Sequence, residues 1–134
     1  MMESIDLAIN GTLMRGLKLN DNLTSIGAKF VRETETENRY RLWSINDRHP
    51  AMIRQTSGGE SIQVEIWSIP AAGFASLLLA EPPGLCIGKV RLADGTQTLG
   101  VLGEPALCEG MREITEWKGW RNYTATLGST DRSS

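Results

Sequence analysis

The sequence has one histidine, His49, and two cysteines in 134 residues. That scarcity removes most zinc schemes, which draw on several clustered Cys and His ligands, and most nucleophile–histidine triads. Cys86 and Cys108 form no CxxC pair and sit among small or apolar residues, so both read as buried free thiols. There is no basic excess: 14 Lys and Arg stand against 16 Asp and Glu, for a net charge of -2. A chain without surplus positive charge has little with which to neutralise phosphates, and nucleic acid is not expected as a partner. No apolar run reaches the roughly 18 residues of a membrane-spanning helix. The opening segment MMESIDLAIN lacks the basic start and long apolar stretch of a secretory signal, so the expected compartment is the cytoplasm. Internal repeats, heptads and long linkers are also missing.

What is present is ordinary for a globular domain: 40% hydrophobic and 22% charged residues. The length suits one core without disulfide or metal staples. Residues 1–127 are expected to form a single domain, and the polar run GSTDRSS at 128–134 a frayed tail. Alternation in SIDLAI marks a strand from Ser4 to Ile9, leading into the glycine-bracketed loop Gly11 to Gly16. Ala28 to Glu33 and Arg39 to Ile45 read as strands of a hairpin. A second hairpin is expected from Ala51 to Gln55 and Ile62 to Trp67 around Gly58-Gly59, and a third from Leu85 to Leu92 and Thr98 to Leu102 around Asp94-Gly95. Pro70 opens a helix from Ala71 to Ala80, stopped by Pro82-Pro83-Gly84. Glu104 to Cys108 and Arg112 to Trp117 suit short helices, with Trp120 and Tyr123 as packing anchors. About seven strands and one good helix give an α+β domain with a curved or closed, mainly antiparallel sheet.

Several residues are candidates for chemistry. The loop Gly11 to Gly16 follows a strand directly, and its backbone N–H groups can form a hollow for a carboxylate or an oxyanion; a plain tight turn is the alternative. His49, in the polar loop Asn46 to Pro50, carries the imidazole suited to proton transfer near neutral pH, or is a loop histidine without a role. Glu81 ends an apolar helix, where partial desolvation raises a carboxyl toward general-base range; a solvated helix-end glutamate is the alternative. Glu65 shares a strand face with Gln63 and Trp67, either toward solvent or lining a pocket. Arg41, Arg48 and Arg121 are candidate carboxylate clamps. The four tryptophans suit packing better than stacking on a ligand.

Longer runs carry more information. Asn10-Gly11-Thr12-Leu13-Met14-Arg15-Gly16, the segment Tyr40 to Met52 (YRLWSINDRHPAM), Gly84 to Val90 (GLCIGKV), Gly100 to Pro105 (GVLGEP) and Glu113 to Arg121 (EITEWKGWR) occur in order across the chain. In that order and spacing the sequence resembles the C-terminal domain of allophanate hydrolase, over about residues 5 to 123. The resemblance implies the gamma-glutamyl cyclotransferase-like fold, a mixed curved or barrel-like β-sheet with one main helix and several short ones. In allophanate hydrolase this domain is implicated in decarboxylating N-carboxycarbamate, the product of the amidase half, with a pocket histidine important for activity; His49 is then the matching group.

Gamma-glutamyl cyclotransferases are similar at Gly11-Thr12-Leu13, where their backbone amides hold substrate, and at Glu81, which matches their catalytic glutamate. The chain departs from them at Asn10, where they carry an aromatic residue, and in Glu81-Pro82-Pro83-Gly84, where they have Glu-Gly. The resemblance therefore implies a pocket holding a small anionic substrate. Asn10, Gly11, Thr12, Leu13, Met14, Tyr40 and Arg48 would bind it, and His49 and Glu81 would act on it. No cofactor or metal is implied. A separate amidase subunit, or a second copy of the chain, is the expected macromolecular partner, since the amidase motifs themselves are missing from the sequence.

Overall fold

The computed structural model describes the backbone of residues 3–132 and the side chains of residues 3–127; the expected tail at 128–134 falls outside the part described in full. Strand β1 (Ser4–Ile9) is followed by a short helix α1 (Asp21–Thr24), β2 (Lys29–Glu35), β3 (Tyr40–Ile45), β4 (His49–Arg54) and β5 (Gln63–Pro70). Helix α2 (Ala71–Leu79) leads to β6 (Leu85–Arg91), β7 (Gln97–Gly103), α3 (Pro105–Cys108) and β8 (Arg112–Glu113). A 3₁₀ turn, Thr115–Trp117, precedes the last helix, α4 (Trp120–Arg132). The α+β class is the one expected.

Five strands form a sheet in the order β2-β5-β1-β7-β6, and three form a second in the order β4-β3-β8. All pairings are antiparallel except β1 with β7, which run parallel through Leu7–Leu99 and Ala8–Gly100. The outer strands of the larger sheet meet at one end. Just past β2 and β6, Thr36 bridges Leu92, with the Glu37 N–H donating to Arg91 O at 3.0 Å and the Ala93 N–H to Glu35 O at 3.0 Å. That contact curls the sheet toward a barrel. Leu7, Ile9, Leu42, Ile62, Ile69 and Ile114 are completely or almost completely buried inside it.

The hairpin of β6 and β7 forms as the sequence implies, with Gly95 at positive φ in its turn. The other two expected hairpins do not. β2 pairs with β5, not with β3, and β5 pairs with β1 and β2, not with β4. The physical reason lies in Gly58-Gly59. Both have positive φ, yet they carry the chain from one sheet to the other, and a Cβ on Gly59 would lie 2.7 Å from the Tyr40 backbone nitrogen. The true partner of β4 is β3. Asn46 and Asp47, both at positive φ, close their turn with the Arg48 N–H on Ile45 O at 3.0 Å. Asn and Asp tolerate that conformation better than other side chains. His49 consequently opens a strand instead of lying in a loop.

Arg112 to Trp117, expected as a helix, is a short strand and a 3₁₀ turn, because β8 pairs with Trp43 and Ser44 of β3. Trp120 and Tyr123 are buried anchors as expected, but on a helix, α4, that the sequence hid. Cys108 is buried; Cys86 is exposed, a correction to the expectation that both thiols are enclosed.

Candidate functional site

The first loop is held in place by a contact that only glycine permits. A Cβ on Gly11 would lie 2.5 Å from Cδ and 2.8 Å from Cγ of Pro50, the residue after His49. The missing side chain thus lets the end of β1 sit against the start of β4. Asn10, buried at the end of β1, donates from Nδ2 to Val101 O of β7 at 3.0 Å and points the same amide at Met52 Sδ, 3.7 Å away. The Met14 N–H closes the turn on Gly11 O at 2.9 Å, and Asn20 Nδ2 donates to Leu13 O at 2.7 Å. Among the described residues, the N–H groups of Gly11, Thr12 and Leu13 donate to no protein acceptor in the loop's hydrogen-bond network. They are free for a ligand oxygen.

Three distant pieces of chain meet here. Asn10, Gly11, Thr12 and Leu13 from the loop, His49 and Pro50 from β4, and Glu81 and Pro82 from beyond α2 line one hollow, closed by Ile9, Leu85 and Val101. His49 Nδ1 lies 3.1 Å from Pro50 O. A carbonyl only accepts, so Nδ1 carries the proton in that contact and the neutral ring presents an unprotonated Nε2. Glu81 lies in a turn past the C-terminal end of α2, its N–H on Leu78 O at 3.2 Å. Burial raises its carboxyl above the ordinary range, and among the described residues it has no ion-pair or hydrogen-bonding side chain to oppose that shift. A desolvated carboxyl without a counterion, beside an imidazole and a set of free amides, is equipped to hold and move a proton.

The hollow is small. Its cavity volume is about 20 Å³, room for about one water molecule. A second, apolar hollow of about 200 Å³ adjoins it, lined by Leu78, Glu81, Leu85, Cys86, Ile87 and Val101.

Three expected lining residues lie elsewhere. Tyr40 is wholly buried in the core, where its hydroxyl accepts the Arg91 N–H at 3.0 Å. Arg48 is exposed in the β3–β4 turn and is not among the residues lining the hollow. Met14 is buried at the far end of the loop, where it lines a different hollow, of about 320 Å³, with Glu33, Glu65 and Trp120. Glu65 itself is buried in a ring of donors. Its carboxylate accepts the Arg15 N–H at 2.9 Å, Arg15 Nε at 3.2 Å, Trp67 Nε1 at 3.0 Å and Arg121 Nη2 at 3.0 Å. Burial pushes this carboxyl up, but those bonds outweigh it and hold it below the usual range. Arg121 is thus a carboxylate clamp, as is Arg41 on Glu113, each gripping one of the chain's own carboxylates. Leu85, Val101 and Pro82 were not foreseen as lining residues; nothing local distinguishes them, and only the placement of β7 beside β1 puts them there.

The family follows from comparison with known proteins. The model of the allophanate hydrolase C-terminal domain matches residues 5–125. The chain belongs to that family. Urea amidolyase of Saccharomyces cerevisiae is 30% identical over 131 residues, which is 92% of this chain but 7% of the yeast protein. The chain therefore spans only a small part of the curated relatives it matches. A crystal structure of a protein described as specific to uropathogenic E. coli is 60% identical, with a TM-score of 0.90, covering 92% of this chain and 98% of that one. Kluyveromyces lactis allophanate hydrolase superposes with a TM-score of 0.89 at 26% identity, covering 94% of this chain and 22% of that one. Structural neighbours of lower identity share the fold alone, and the allophanate hydrolase C-terminal domain here has the gamma-glutamyl cyclotransferase-like architecture expected from its sequence.

Proposed function

We infer that this domain is an enzyme acting on a small carboxylate or amide held at the first loop, and that within the chemistry of its relatives it decarboxylates N-carboxycarbamate. The observation that carries this reading is the convergence of Glu81, desolvated and unpaired, with His49 and the free amides of Gly11, Thr12 and Leu13 on one hollow. The amides would hold a carboxylate oxygen; oriented donors of this kind contribute about 3 kcal/mol to stabilising developing negative charge. Loss of carbon dioxide breaks a C–N bond, leaves the electron pair on nitrogen and requires a proton there, giving carbamate. His49 would supply it from Nε2 after taking up a proton there from Glu81, whose burial favours the protonated carboxyl, with Nδ1 steadied by Pro50 O. A positioned acid of this type is worth about 10² to 10⁴ in rate. Glu81 would orient the substrate and act as the second proton-exchanging group. Asn10 would support the site by fixing the loop to β7.

The test is to generate N-carboxycarbamate in place with an isolated amidase and follow carbon dioxide release. Wild type should accelerate it, while His49→Ala and Glu81→Gln should not. Equal rates for all three proteins would remove the decarboxylase reading. A cyclotransferase reading draws on Glu81 and the Gly11-Thr12-Leu13 loop, and predicts 5-oxoproline from gamma-glutamyl amines; its absence would discard that alternative. A docking role on an amidase subunit draws on a different feature. Leu78 and Leu79 on α2 are exposed, Leu79 to 87%. Co-purification that survives Glu81→Gln but not Leu79→Lys would favour it.

A further inference from the structure

The side-chain amide of Asn10 is committed on one side and open on the other. The residue is only 4% exposed, yet it borders the polar hollow together with Gly11, Thr12 and Leu13. Its Nδ2 donates to Val101 O of β7 at 3.0 Å and approaches Met52 Sδ at 3.7 Å. A carbonyl oxygen only accepts, so the atom facing Val101 O is the nitrogen, and turning the amide over would set two oxygens against each other. That leaves Oδ1, to which no donor among the described residues is bonded. It is not sealed in the core either, since among the described residues no wholly buried side-chain nitrogen or oxygen lacks a partner. The opening that Asn10 borders is the hollow, and Oδ1 is an acceptor presented there, beside the free N–H groups of the loop.

We propose that Asn10 Oδ1 is the specificity-determining acceptor of the site, receiving an N–H of the substrate while the loop amides hold its carboxylate. This rests on the reading of the polar hollow as the substrate-binding site, and narrows the substrate class to carboxylates that carry an N–H, with their carbon and oxygen isosteres rejected. The discrimination follows from what each isostere leaves behind. A C–H group strips water from Oδ1 and returns no hydrogen bond, and an ether or ester oxygen sets its lone pairs against those of Oδ1. N-carboxycarbamate, with one N–H between two carboxylates, satisfies both halves of the arrangement. A neutral amide suits the position better than a charged acceptor would. Aspartate there would lose the bond to Val101 O and repel the carboxylate that the loop amides attract.

Two pairs of isosteres test this on the intact chain. Oxamate against pyruvate replaces a methyl by an amide NH2, and allophanate against malonamate replaces a methylene by an N–H. Titrations followed through the Gly11, Thr12 and Leu13 amide resonances give the affinities. In at least one pair the N–H compound should bind about tenfold tighter or more, the penalty a buried acceptor imposes when it is left without a donor. Asn10→Leu should bring that preference below about twofold. His49→Ala and Glu81→Ala, which remove the two ionisable groups at the hollow, should each keep it. If both pairs bind wild type equally, Asn10 selects nothing and the polar site stands. That ratio is measured on wild type alone and decides the matter even where Asn10→Leu folds poorly. A preference lost in His49→Ala or Glu81→Ala and kept in Asn10→Leu would give the role to that other side chain and overturn the proposal. If none of the four compounds moves the loop amides, the proposal and the reading of the site fail together.

Discussion

Replacing Glu65 with alanine should destabilise the domain by about 3 kcal/mol without touching the candidate site. The carboxylate accepts four bonds, and their donors differ in what they lose. Arg15 and Arg121 have side chains exposed by 44% and 40%, so their guanidinium groups can turn to water. Trp67 Nε1 and the Arg15 N–H cannot do so as easily, Trp67 being buried, and a buried donor left unsatisfied costs about 1–3 kcal/mol. Two such donors, partly relieved by water entering from the 320 Å³ hollow alongside, give about 2–4 kcal/mol. At a urea slope of about 2 kcal/mol per molar, the midpoint should fall by about 1–2 M.

The pH dependence supplies an independent check. Because the folded-state carboxyl titrates below its unfolded value, its stabilisation is complete above the ordinary glutamate pKa of about 4.3 and disappears as pH falls through the depressed value. The gap between wild type and Glu65→Ala should accordingly be widest near neutrality and narrow in acid. A loss below 1 kcal/mol, or a gap unchanged from neutral to strongly acidic pH, would refute this account of the buried cluster.

Gly11→Ala places a Cβ against the Pro50 ring and should cost about 1–3 kcal/mol in chemical denaturation, with loss of ligand binding as the loop and His49 separate. Glu81→Gln should lower turnover by at least about 10²-fold. Its stability should behave oppositely: a raised carboxyl pKa contributes stability below the unfolded value and loses it as pH rises through the folded one, so the variant should gain on wild type near neutrality. Tyr123→Phe removes the 2.6 Å bond from the phenol to Asp47, which together with Ser44 holds that carboxyl below its usual range. It should cost about 1 kcal/mol by thermal denaturation and move the Asp47 titration upward by NMR.

How far the sequence reveals the fold depends on whether the information is local. β1 and α2 could be read because alternation and proline punctuation lie within the element, and the β6–β7 hairpin because Asp94-Gly95 lies between strands that do pair. Gly58-Gly59 carries the same hairpin signature and misleads. Gly59 answers to Tyr40, some twenty positions back in the chain, and not to a turn between neighbours. α4 escaped notice because Trp120, Tyr123 and Leu127 keep helical spacing amid threonine, serine and glycine, all weak helix formers. At the candidate site, the loop, His49 and Glu81 were legible as chemical types and by resemblance. Their convergence depends on Pro50 against Gly11 and on β7 beside β1, contacts that no window of sequence contains.

The middle position of β1 has a consequence for biogenesis. Within this domain the strand synthesised before the others is the one flanked by β5 and β7, so Leu7, Ala8 and Ile9 wait for segments some sixty and ninety residues downstream before they are covered. At each flank a long loop must close before the pairing there contributes, which places the domain among slow, nonlocal folders. A nascent chain stalled before β7 would display an apolar strand with one side open, the kind of surface that chaperones engage and that aggregates in their absence.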